Sequence, residues 1–253
     1  MSTRGSIGTV VLLTLVCVWT SSCSGDRAGC ATPLGPAVMD TVDLEVMATQ
    51  LEVVDRVEVH WWPEATSSYA VVHAWEGTRD GVRVDDNADV LRIEEVNRCA
   101  WVRRLDAVPR VDLHGIRPST IQLEAQADFV MEGPWQGDFL SVSSDEMAGD
   151  VDLWFEGDSL RVRLPNGIGH ARLRGTATRL TCFRSGFGDL DATGLAANQV
   201  MVHHAGLGDA RLRPQGYLFL ELAGAGNAIL EGAGDERDIR ILPGATGEVI
   251  TVP

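Results

Sequence analysis

At 253 residues, with 45% hydrophobic and 23% charged content, the chain has room for one or two domains and is too apolar for intrinsic disorder. A formal net charge of −15 argues against a nucleic-acid partner, because phosphates attract basic stripes. No lysine occurs, so every basic side chain is an arginine.

The first residues point to export. Arg4 supplies a positive charge, and Ile7 to Trp19 form an apolar run too short to span a membrane and suited to a signal-peptide core. Ser21-Ser22-Cys23 ends that run and resembles a bacterial lipobox, although Thr20 stands where leucine is usual. The expectation is a signal peptide over 1–22, lipid on Cys23, and a tether over 23–43 that carries the domain off the membrane. Ser24 is compatible with sorting to the outer membrane. Of the other cysteines, Cys17 lies in the signal, a Cys30–Cys99 bridge is permitted but not required by spacing, and Cys182 sits among apolar positions.

From Leu51 onward the pattern is β. Apolar runs at Val53/Val54, Val57 to Trp61, Tyr69 to Trp75, Val82 to Val84 and Val90 to Ile93 are separated by Pro63, by Gly77 to Gly81 and by Asp85-Asp86-Asn87. Val108 to Leu113 adds another strand, and no segment after the signal has helical periodicity. Residues 44–119 are expected to form irregular first turns that cap one end of the regular rungs C-terminal to them. His60-Trp61-Trp62-Pro63 stands out: exposed tryptophans bind sugars, but a pair on one strand places one ring on the core. Trp61 and Trp62 are therefore candidate contact residues with a structural alternative.

Residues 120–253 are a repeat. Near every twentieth residue a glycine is followed by a polar residue and an apolar–x–apolar triplet. The copies are Gly149 to Leu153, Gly169 to Leu173, Gly188 to Ala192, Gly208 to Leu212, Gly226 to Leu230 and, more loosely, Gly247 to Ile250; Ala127 to Met131 is a degenerate first one. Such self-similarity marks a stacked architecture. A lone rung cannot bury its apolar face; stacking rungs at about 4.8 Å makes columns of like residues. One column is Leu140, Leu160, Leu180, Val200 and Leu218, with Val142, Val162, Cys182, Val202 and Leu220 beside it. Others are Leu153, Leu173, Ala192, Leu212, Leu230 and Val151, Ala171, Leu190, Ala210, Ala228. Glycine suits a tight bend and the aspartate beside it a turn. The expected fold is all-β: a single-stranded parallel β-helix, or β-solenoid, of about 20-residue rungs.

The same register orders the outward residues. Asp152, Arg172, Asp191 and Arg211 alternate in sign, each neighbouring pair contributing at most about 1 kcal/mol if exposed. Phe183, Met201, His203 and Phe219 fall on one outward face, a candidate contact surface that could equally cover a neighbouring segment.

Several blocks together resemble the putative auto-transporter adhesin, head GIN domain family: Asn97-Arg98-Cys99-Ala100-Trp101, Val108 to Leu113, the Gly-Asp rungs, and Ser185 to Ala192 in particular. Pro165-Asn166-Gly167-Ile168-Gly169-His170 departs from the family's repeated Gly-Ser-Gly-Asp. The resemblance spans about Leu44 to Pro253 and implies a β-solenoid in an exported protein, often a lipoprotein, with no catalytic residues to carry over.

Chemistry is thinner. Asp150, Asp189 and Asp209 share a column with His170, and Asp150 and Asp189 stand two rungs apart, within the roughly 5–10 Å that a glycosidase pair needs. Aspartate beside glycine at a corner is also the expected turn residue. His203 and His204 are adjacent, face opposite sides of a strand and cannot chelate together, so neither a metal nor a cofactor is expected. Two function classes remain. One is a non-catalytic, envelope-anchored binding, adhesin-like or scaffold module, its partner a glycan or another envelope protein. The alternative is a polysaccharide-active enzyme. End-to-end assembly through exposed strand edges is a third possibility.

Overall fold

Residues with alternating apolar side chains make strands, and the computed structural model is built almost wholly of them. It describes residues 33–45, 48–87, 89–97, 107–232 and 236–252. Cys23, Cys30, Cys99 and the expected signal lie outside the described residues. Among those residues the only helical turn is the short Arg79–Gly81 segment, and none is long and apolar enough to cross a membrane.

The regular part begins at β8 (Thr120–Ala125) and β9 (Phe129–Met131) and continues through β10 (Trp135–Ser143). The long strands β11 (Val151–Leu164), β12 (Ala171–Arg184), β13 (Leu190–His204) and β14 (Ala210–Leu222) each bend midway and serve two sides of a rung. β15 (Ala228–Glu231), β16 (Glu236–Ile241) and β17 (Val249–Val252) finish the stack. Pairing is parallel from rung to rung, so the expected β-solenoid is the observed fold. The expected columns are in register: Leu140 with Leu160, Leu180, Val200 and Leu218, and Val151 with Ala171, Leu190, Ala210 and Ala228, all buried. β13 carries an irregularity opposite Arg172 to Arg174, which shifts the register beside Ala192.

The N-terminal half stacks out of sequence order. β2 (Gln50–Asp55) and β3 (Glu58–Trp62) pair with β8 and β9 on one side. On the other they pair with β6 (Val90–Glu95) and β7 (Arg110–His114). The β2–β3 rung is thus sandwiched between two rungs that come after it in the chain. β4 (Tyr69–Trp75) and β5 (Val82–Asn87) then pair antiparallel with β7 and β6.

The tether expected over 23–43 needs shortening. Ala37–Asp43 is a strand, β1, antiparallel to β4, and Val42 packs on the core. Its alternation is hard to see because Asp40, between Val38 and Val42, forms an ion pair with Arg79.

Candidate functional site

Each rung turns at a corner followed by a polar residue, of the form Gly-X-Gly at residues 167–169, 186–188, 206–208 and 224–226, and each corner is tied to the next by that polar side chain. Asp128 Oδ1 accepts the backbone N–H of Asp150 at 2.8 Å, and Asp150 Oδ1 that of His170 at 2.8 Å. His170 Nδ1 accepts from Asp189 N–H at 3.2 Å, and Asp189 Oδ1 from Asp209 N–H at 2.8 Å. Asp209 Oδ1 takes Asn227 N–H at 2.9 Å, and Asn227 Oδ1 takes Glu248 N–H at 3.1 Å. These side chains cap the neighbouring rung's backbone, whereas turn chemistry alone gives them a role within their own corner. The ladder satisfies donors that the corner would otherwise leave to water.

The ladder borders a groove of about 420 Å³ whose other wall is the outward column Asp152, Arg172, Asp191 and Arg211. Asp150, His170 and Asp189 all line it, as the two-rung spacing predicts. The alternating charges are in register; Asp152 lies 3.9 Å from Arg172 and is held more closely, at 3.0 Å, by Arg174, which stacks on Trp154. Among the described residues no three His, Cys, Asp or Glu side chains converge as metal ligands would.

The candidate contact residues divide. Phe183, Met201, His203 and Phe219 do share one outward face, in the expected register. Phe183 and His203 are half-buried and stacked on each other, centroids 4.9 Å apart and planes 4° from parallel, and His203 Nδ1 lies 2.6 Å from Glu221. Arg240 covers Phe219 at 5.0 Å; Met201, 42% exposed, is the most open of the four. Trp61 is no contact residue: it is wholly buried, donates its indole N–H to the Ile116 carbonyl at 3.2 Å and packs on Phe129. Trp62 points outward, but its ring stacks on His114 at 4.7 Å, and His114 in turn stacks on Tyr69 at 4.4 Å. Rings stacked along the solenoid axis cover one another's faces, so they fix register as cross-strand pairs do and leave mainly edges to a ligand.

Two features are not singled out by the sequence. The first is a stripe at the X positions of the corners, where Ile168, Phe187 and Leu207 are 63%, 65% and 56% exposed on three successive rungs. The second is inside. Arg184 and His204 fill an inward column otherwise held by Leu164 and Leu222, and both are fully buried. Arg184 donates to the carbonyls of Gly169 at 2.6 Å and Gly188 at 3.3 Å, while neither ring nitrogen of His204 has a hydrogen-bond partner. Burial lowers both pKa values; in His204 it outweighs the opposing pull of the Gly208 backbone. Burial likewise pushes the neighbouring Cys182 thiol up to about 12, which leaves it an inert core residue.

The profile of the putative auto-transporter adhesin, head GIN domain family matches residues 49–234. The chain belongs to this family. Solved structures agree on the fold. A putative adhesin from Bacteroides fragilis is 14% identical, with a TM-score of 0.75 over 86% of this chain and 97% of the other. A putative adhesin from Parabacteroides distasonis is 16% identical with a TM-score of 0.59 over 86% and 98% of the two chains. A putative lipid binding protein from the same species is 13% identical with a TM-score of 0.62 over 87% and 98%. Among curated proteins none matches. In this head GIN chain the departure at Asn166 to His170 is absorbed without breaking the ladder, because the His170 imidazole supplies the acceptor that aspartate supplies elsewhere.

Proposed function

We propose that this head GIN protein is an exported, non-catalytic binding module of adhesin type, held to the cell envelope by lipid on Cys23. The observation that carries the non-catalytic reading is the corner ladder. Asp150 and Asp189, the best-spaced carboxylates for hydrolysis, each commit one oxygen to a backbone N–H of the next rung. A carboxylate engaged in that way is a scaffold element held as an acceptor, where acid catalysis would need it to hold and release a proton. The family and the adhesin descriptions of the structural neighbours support the same reading.

A glycan array probed with the purified protein, followed by product analysis on every glycan bound, tests it. Binding without turnover is the expected result. Asparagine keeps the acceptor, as Asn227 does in its own rung, so Asp150→Asn and Asp189→Asn should fold normally. Turnover by the native protein that disappears in either variant would make the groove a polysaccharide-cleaving site. The anchor has its own test: metabolic palmitate labelling should mark the native protein and leave Cys23→Ser unlabelled.

A further inference from the structure

We propose that the Gly-X-Gly corner is a docking ridge for a cationic, amphipathic polypeptide segment; the inference names the partner of the binding module and rests on that reading. Ile168, Phe187 and Leu207 are each more than half exposed and lie one above another. Their backbone N–H groups bond back to the preceding rung, at 2.9 Å to Met147 O, 2.8 Å to Gly167 O and 2.7 Å to Gly186 O. The stripe is therefore a rigid row at the inter-strand spacing of about 4.8 Å.

Folding does not ask for large apolar residues there. At the corresponding corners the exposed X position is Ala148, Ala225 or Thr246, so a small or polar residue satisfies the same turn. Three large apolar side chains in a row on a chain of net charge −15 are a surface awaiting a partner.

Charge decides what kind. Two residues after each X stands the ladder column: Asp189 and Asp209, beside Phe187 and Leu207, accept from the next rung through Oδ1 alone, and His170, beside Ile168, lies 3.6 Å from Asp189 Oδ2. An apolar row flanked by carboxylates at rung spacing complements a segment that interleaves apolar with lysine or arginine side chains. An anionic lipid surface would be repelled by that column. A sugar would find few exposed ring faces, because Ile168 and Leu207 are aliphatic, whereas peptide side chains pack well on them. The ridge is smaller than a standard interface, so binding should be weak and salt-sensitive.

The test is titration of the purified, isotope-labelled protein with an alternating leucine–lysine peptide, monitored through backbone chemical shifts. Shifts should cluster on the three corners carrying Ile168, Phe187 and Leu207. The affinity should fall at least tenfold in a Phe187→Ser/Leu207→Ser variant, whose charge is unchanged. Asp189→Asn/Asp209→Asn, which keeps the ladder acceptors, should weaken it as well, and a leucine–serine peptide should bind far less tightly. Unchanged affinity in the serine variant would overturn the proposal. So would an equal loss in Glu236→Gln/Asp238→Asn on another face, since attraction would then follow net charge alone. A neutral oligosaccharide that binds the ridge and is lost in the serine variant would overturn the peptide as partner and leave the binding module standing; turnover of that oligosaccharide would remove the module reading itself. Both ridge side chains are exposed, so the serine variant should melt with the native protein, and the single Phe187→Ala repeats the test if it does not.

Discussion

Replacing Gly169 with alanine should destabilise the solenoid by more than about 3 kcal/mol, enough to lower the melting temperature by roughly 10 °C in thermal denaturation monitored by circular dichroism. A Cβ built on Gly169 would stand 1.8 Å from the carbonyl oxygen of Gly149 in the rung below. The same collision recurs up the corner: Gly188 against Gly169 O at 1.9 Å, Gly208 against Gly188 O at 2.2 Å, Gly226 against Gly208 O at 1.8 Å. These are backbone contacts, so no side-chain rotation relieves them, and the hydrogen bonds on both flanks of the corner hold the rung spacing. The requirement is close approach and not an unusual dihedral, since none of these four glycines has the positive φ found at Gly167, Gly175 and Gly186. Gly194→Ala is the control. Its Cβ would meet nothing nearer than Arg174 Cβ at 3.3 Å, and the position is exposed on a strand, so stability should change by no more than about 0.5 kcal/mol. Equal losses in the two variants would mean that alanine is disfavoured through strand entropy or solvation and that the stacked corner is not what demands glycine.

This collision explains how much of the fold is legible in the sequence. Period, inward columns and corner glycines can all be counted along the chain because each rung repeats one local solution, and residues at the same place in successive rungs are neighbours in space. The register pairs Leu160 with Leu180 and Asp152 with Arg172 as the count implies. What the count cannot reach is contact set by tertiary order. Nothing local says that β2–β3 slides between β6–β7 and β8–β9, because any of these strands could pair with any other on alternation alone. β1 is obscured by Asp40, and the role of the corner aspartates is hidden because their partners are N–H groups roughly a rung away. The site is less legible than the fold. Alternation puts Trp61 and Trp62 on opposite faces without saying which is buried, and stacking takes Phe183 and His203 out of play as free surface. The exposed stripe needs only the X residues of the corners to be aligned, so Ile168, Phe187 and Leu207 were within reach of the sequence. Arg184 and His204 were too, had the column Leu164, Leu222 been extended through them; polar residues at inward positions read naturally as the end of a strand.

His204 gives the second large effect, a loss of stability in mild acid that His204→Leu should largely abolish. The imidazole is buried in an apolar column, its ring nitrogens lack partners, and the Arg184 guanidinium lies one rung below. Cys182 on β12 is neutral and Leu222 faces it from β14; the Gly208 backbone and Asp209 at the corner favour the protonated ring, while Arg184 and His203 oppose it. Burial, the largest influence, lowers the folded pKa of His204 below the ordinary value of 6.5. Above that value the ring is neutral in both folded and unfolded chains, and the stability is fully present. As pH falls through it the unfolded chain takes up a proton that the folded chain refuses, so the folded state loses up to about 1.4 kcal/mol per pH unit until the buried ring also protonates. His114, half-buried and likewise lowered by desolvation, adds to the trend in the same direction and persists in the variant. Leucine already occupies this column at Leu222 one rung above and at Leu164 two rungs below, so His204→Leu places an aliphatic side chain where the column accepts one, a gain of about 1–3 kcal/mol at neutral pH if packing is kept. Melting temperatures measured from pH 7.5 to 5 should fall in the native protein and fall much less in the variant. Parallel curves would place the acid sensitivity outside His204 and overturn the prediction. Arg184→Leu separates the neighbours further: if the guanidinium is what makes a second buried cation intolerable, removing it should soften the acid slope while orphaning the carbonyls of Gly169 and Gly188 that it now bonds.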